Sequence, residues 1–156
     1  MKKKFSIVHL VIIALYFMSS CQISNHQTKV FTFSGKNSSI SINNGVIIID
    51  EDIEKFIGGN LTLINIDLKN IKYYSTEFYY YKDNLKIILH SDIVSTNATV
   101  DGLNVSTELG YGSSEKLYIS ENINIIKNSL NFSLSGAFIN GESFEYNIVL
   151  DVKEVL

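Results

Sequence analysis

Few residues in this chain of 156 have types that could do acid–base or metal chemistry. Histidine is the usual proton carrier near neutral pH. His9 lies in an apolar run, His26 in a polar stretch and His90 close to the end of a strand-like segment. Serines are plentiful, but no G-x-S-x-G elbow exposes one as a nucleophile. His90 therefore reads as a surface or strand-end residue. Asp50, Asp52 and Glu54 begin with the rhythm of a calcium loop. Such a loop needs Gly at its sixth position and Glu at its twelfth, and Lys55 and Leu61 stand there. The 16 acids include no pair whose spacing marks a glycosidase. Gly58-Gly59 precedes a strand, the reverse of a phosphate-binding loop. The expectation is a protein without catalytic, metal or cofactor site.

The remaining concentration of functional types is aromatic. YYSTEFYYYK, residues 73–82, carries Tyr73, Tyr74, Phe78, Tyr79, Tyr80 and Tyr81. On a strand, Phe78 and Tyr80 face one side, Tyr79 and Tyr81 the other. One set belongs to a core. The other is expected to be exposed, where tyrosines favour contacts with partners. Tyr73, Tyr74, Tyr79 and Tyr81 are the candidate partner-binding residues.

The single cysteine, Cys21, has a more specific setting. Lys2, Lys3 and Lys4 precede the nearly unbroken apolar run FSIVHLVIIALYF, and Met18-Ser19-Ser20 then lead to Cys21. A charged start, a short apolar run and a small-residue site make a secretory signal peptide. The run is shorter than the roughly 20 residues a membrane span needs. Met18-Ser19-Ser20-Cys21 resembles the lipobox of bacterial lipoproteins, with Met in place of the commoner Leu. The resemblance covers only the first 21 residues. It implies lipid transfer to the Cys21 sulfur, cleavage before Cys21, and attachment to the cell envelope. Gln22, where an inner-membrane retention signal would carry Asp, favours the outer membrane in a two-membrane cell. In a one-membrane cell the same signal places the protein on the outer face of the plasma membrane. A plain secreted protein is the alternative.

The expected organisation is a signal peptide over 1–20, the acylated cysteine and a polar tether over 21–29, and one domain over 30–156. Loss of the three leading lysines leaves ten basic residues, all Lys, against 16 acids, a charge of about −6. The absence of Arg and the acidic balance argue against nucleic acid and against charge-driven docking on anionic lipid. With Cys21 acylated no disulfide is possible, so stability rests on packing.

From Val30 onward, short apolar alternations broken by Gly and Asn signal an all-β chain. The fold expected is an antiparallel β-sandwich, immunoglobulin-like or similar, with one short helix; a small β-barrel is the alternative. Asn44-Gly45 suggests a tight hairpin within 39–50, which pairs Ile42 with Ile47 and Ile40 with Ile49 and puts all four on one face. Residues 50–59 suggest the helix, capped by Asp50 and plugging one end of the sheets. Residues 61–74 suggest one irregular strand. Hairpins are expected at Asp83-Asn84 and Asp101-Gly102, a loop over 110–114, and strands over 116–119 and 123–126. The last hairpin gives the firmest register. Even-numbered apolar residues on both arms, Phe132 to Phe138 and Phe144 to Leu150, share a face only if the loop is odd. That selects a three-residue loop with Gly141 left-handed and places Gly136 opposite Phe144. The functional expectation is a lipid-anchored, non-enzymatic module that binds an envelope protein or cell-wall polymer. A carrier of lipid or another small apolar ligand is the alternative.

Overall fold

The computed structural model describes residues 27–66, 68–95, 105–115 and 117–156. Two open antiparallel sheets pack face to face, as a β-sandwich and not a closed barrel. The first sheet contains β1 (Lys29–Lys36), β2 (Ile40–Ile49), β3 (Glu54–Ile57) and β4 (Asn60–Leu63). The second contains β5 (Ile71–Lys82) and β6 (Leu85–Ser95). The chain then returns to the first sheet as β7 (Tyr111–Ser114), forms helix α1 (Ile119–Ser129), and adds β8 (Asn131–Phe138) and β9 (Ser143–Val149) to the second. Finally β10 (Asp151–Glu154) joins the first sheet. The strand orders are β10-β1-β2-β3-β7, with β4 also on β2, and β6-β5-β8-β9.

The core between the sheets is aromatic at its centre. Phe33 stacks on Phe56 at 5.4 Å, and Phe56 meets Phe78 edge-on at 4.9 Å. Phe78 continues to Phe132 at 4.9 Å. These centroid separations are those aromatic pairs prefer. Ile40, Ile42, Ile47, Leu134 and Ile148 surround the rings. Full burial of each such side chain contributes about 1.5–3 kcal/mol.

Residues 39–50 do not form a hairpin. They form the single strand β2, and Asn44 takes φ 60° within it. Asn43 and Asn44 together stand opposite Ser34 of β1, between the pairs Phe33↔Gly45 and Gly35↔Ile42. This two-against-one bulge shifts the strand's parity by one residue. Even-numbered Ile40 and Ile42 and odd-numbered Ile47 therefore all reach the core. The expectation of one common face was correct, but a bulge achieves it. Gly45 is required because the Phe33 ring covers it: a Cβ there would lie 2.1 Å from the ring's Cε2.

The helix expected over 50–59 is instead a turn and a strand. The Asp50 amide donates to the Ile53 carbonyl, closing the turn, and β3 then pairs with both β2 and β7. Glu54 and Phe56 point inward while Lys55 and Ile57 point out, the period of a strand. Residues 110–114, read as a loop, include edge strand β7. In place of the strands expected over 116–119 and 123–126, the chain forms α1 from Ile119 to Ser129, with Ile119, Asn122 and Ile126 on its buried face. The plug of the sandwich end is thus α1. Residues 61–74 break between β4 and β5, where Asn65 and Asn70 adopt positive φ and the chain crosses between sheets.

Two hairpins follow the sequence closely. Asp83 and Asn84 form a two-residue turn with φ of 52° and 63°, as a type I′ turn requires. Phe138 exchanges hydrogen bonds with the 139–142 loop, Gly141 has φ 90°, and Gly136 pairs with Phe144. The hairpin at Asp101-Gly102 lies outside the described residues.

The bulge makes a direct prediction. Gly45→Ala should destabilise the protein by about 2 kcal/mol through overpacking, read as a lower urea midpoint. Phe33→Leu should recover part of that loss in the double variant. If the two effects simply add, the ring does not set the requirement for glycine.

Candidate functional site

From Tyr73 onward strand β5 alternates, after a register shift between Ile71 and Tyr73. Tyr74, Thr76, Phe78 and Tyr80 are buried on the inner side. Tyr73, Ser75, Glu77, Tyr79 and Tyr81 occupy the outer face. The four candidate tyrosines therefore separate. Tyr73 and Tyr81 are 44% and 52% exposed. Tyr74 is enclosed, and its hydroxyl accepts the Ser106 amide at 3.1 Å. Tyr79 faces outward but is covered, with the Lys86 ammonium 4.2 Å above its ring and Tyr81 edge-on at 5.6 Å. Burial pushes the Tyr79 phenol up, and the Tyr81 phenol adds to the shift. Lys86 in turn pairs with Glu77, whose hydrogen bond raises the ammonium's pKa.

Tyr81 lies eight residue steps along the strand from Tyr73, about 27 Å. Ser75, Ser91, Ser133 and Ser135 lie between them on adjoining strands. The outer face is thus a polar middle with apolar margins. Ile88, Ile93 and Val149 add to those margins and are exposed by 51%, 76% and 68%. The sequence reading missed these three. Their outward position follows from pairing with Tyr79, Ser75 and Asn131, which spacing along one strand does not reveal.

His90 is not a free strand-end residue. It pairs with Phe78, and its ring approaches Phe56 at a centroid distance of 5.9 Å. Its Nε2 is 3.3 Å from Asp92 Oδ2, and a Cβ on Gly110 would come within 2.6 Å of that nitrogen. His90 fills the gap where β6 approaches β7. Among the described residues, no group of three His, Cys, Asp or Glu side chains has a metal-binding arrangement.

The strongest polar construction is centred on Glu54, which is 5% exposed. One carboxylate oxygen accepts the amides of Leu117 and Ile119 at 2.8 and 3.0 Å. The other accepts the Ser120 amide at 2.8 Å. Tyr118 between them has φ 57° and ψ 21°, and no side chain of its own segment caps the helix. Successive amides around a left-handed residue converge into an anion-binding concavity. Here a carboxylate from the neighbouring sheet occupies it, which also suits the positive end of α1. Burial pushes the Glu54 carboxyl up, but hydrogen bonds from Ser120, Ile119 and Leu117 outweigh it, so the pKa lies below the ordinary carboxyl value. Beside it opens a groove of about 360 Å³ whose lining includes Lys29, Asp50, Glu115, Tyr118 and Glu121.

Cys21 lies outside the described residues. No family model matches this chain, and no curated protein or solved structure shows significant similarity to it.

Because the Glu54 pKa is lower folded than unfolded, its stabilisation is complete above the unfolded value and disappears as pH falls through the folded one. Glu54→Gln should cost about 2 kcal/mol at pH 7. It should also flatten the fall in stability on the acid side of the ordinary carboxyl range. Urea unfolding of both proteins across that range checks it; an unchanged acid slope would remove Glu54 as its source.

Proposed function

We propose that this protein is a lipid-anchored lipoprotein of the bacterial envelope that acts without catalysis, by binding an envelope protein or cell-wall partner. The observation that carries the anchor is the run from Lys2 to Cys21, which ends in the lipobox-like Met18-Ser19-Ser20-Cys21. Strand β1 begins at Lys29, eight residue steps after the cysteine. At full extension they span at most about 28 Å. One acyl chain holds a protein marginally and two hold it stably, consistent with full lipidation at Cys21.

Binding is favoured over carriage of an apolar ligand by the way the sheets meet. The interlocked rings of Phe33, Phe56, Phe78 and Phe132 occupy the space a hollow carrier would reserve for cargo. The outer face of the β5 sheet away from α1, where Tyr73 and Ile93 are exposed, is the partner surface in this reading. Exposed aromatic and apolar side chains of this kind contribute to interfaces when desolvated.

Protein extracted from its own membrane should have an intact mass showing cleavage before Cys21 plus acyl chains, and Cys21→Ala should show neither. An unmodified mass would place the protein in the secreted class. Once a partner is isolated, Tyr73→Ser with Ile93→Ser should weaken its capture about tenfold, about 1.4 kcal/mol. Undiminished capture would direct attention away from this face.

A further inference from the structure

The start of β1, the helix and several exposed apolar residues meet at one end of the sandwich. Gln27 and Lys29, the first part of the domain beyond the tether, line the same groove as Tyr118. Lys29 pairs with Ile49, and Ile49 with Glu54, so the capped start of α1 lies at the end where β1 enters. The β5–β6 turn reaches α1 through the Lys82 ammonium, which donates to Asn122 Oδ1 at 3.0 Å. Around this end Tyr118, Ile53, Tyr81 and Leu85 are exposed by 57%, 41%, 52% and 66%.

Tyr118 is the most constrained of them. A left-handed conformation is disfavoured for a bulky residue. It persists because Glu54 holds the amides on both sides. Such imposed strain fixes the direction of a side chain that otherwise gains nothing from the core.

The geometry points to this end as a lipid-contacting surface: Tyr118, with Ile53, Tyr81 and Leu85 around it, rests in the headgroup layer of the membrane that holds Cys21. The inference rests on the lipid anchor proposed above. The short chain between Cys21 and Gln27 brings this end, and not the opposite one, to the bilayer. Tyrosine suits the headgroup layer, where its ring is shielded and its hydroxyl stays hydrated. Asp50, Glu51, Glu115 and Glu121 line the adjacent groove, with Lys29 the basic group among them. Their charge selects a lipid surface without net negative charge.

The chain contains no Trp, so a single introduced indole reports its own depth. The test uses full-length acylated protein in phosphatidylcholine vesicles with brominated or ordinary acyl chains. Tyr118→Trp should lose fluorescence in the brominated vesicles. Tyr111→Trp, 78% exposed and opposite Ile57 on β3, should not. Tyr81→Trp provides a second reporter at the α1 end and decides the matter if Tyr118→Trp does not fold. The intact mass of each sample records its acylation. An acylated protein whose indoles at 118 and 81 are quenched no more than that at 111 overturns the lipid contact and leaves the anchor standing. A protein without acyl chains overturns the anchor and the lipid contact together.

Discussion

A single buried carboxylate joins the parts of this molecule that differ most from one another. Helix α1 crosses the end of a sandwich otherwise built from strands, and its first turn has no cap of its own. Glu54 supplies one from β3, in the opposite position to a conventional capping side chain, since it comes from another element altogether. An isolated buried acid would be expensive, and three amides at about 3 Å or less offset that expense. The connection works in both directions. It keeps Glu54 charged and the inward side of β3 satisfied, and it holds Tyr118 in a conformation that its own residue type disfavours. The far end of the helix is held more loosely, by Lys127 to Glu154 at 3.1 Å on β10. Exposed ion pairs of that kind add little, so Glu54 is the dominant polar tie between helix and sheets.

That tie also explains where the sequence was misleading. Leu117, Ile119, Ile123 and Ile125 alternate as a strand would, and isoleucine favours strands locally. The helix forms because an acceptor 63 residues earlier in the chain meets the amide of Leu117. The acceptor itself lay in DEDIEKFIGG, whose acids and spaced Ile53, Phe56 and Ile57 resemble a helix start. In both segments the local pattern pointed one way and a distant contact the other. Neither member of the pair reveals the other without the fold.

Where spacing within one hairpin fixes the answer, the sequence was sufficient. Odd loop length, the face shared by Phe132 and Phe144, and the space left by Gly136 are all set by parity. The same parity argument at Asn44-Gly45 required Ile40, Ile42, Ile47 and Ile49 to share a face, and the first three are buried while Ile49 packs against the core partly exposed. It could not distinguish a turn from a bulge, because both shift parity by one and both use Asn with positive φ. What decided between them was the Phe33 ring lying over Gly45, a contact from another strand.

The candidate surface was legible to the same depth. Alternation along β5 separated Tyr79 and Tyr81 from Phe78 and Tyr80, and the structure makes the second pair the core side. Alternation could not see that Lys86 would cover Tyr79; the parity that puts Phe78 and Tyr80 inside also puts Tyr74 there, against Ser106, so Tyr74 never belonged with the exposed set. Exposure on a sheet depends on what stands on the neighbouring strand. Lys86 opposite Tyr81 is long enough to reach back over Tyr79, so the outer face loses one ring and retains two, at opposite ends. The aromatic run thus serves chiefly to build the sandwich. Tyr81, at the end next to α1, and Tyr73, far from it, are left in water at positions suited to different neighbours. In the anchored arrangement proposed above, lipid lies on one side of the domain and partners on the other, and this division of exposed aromatics along a single strand would give each side its own contact.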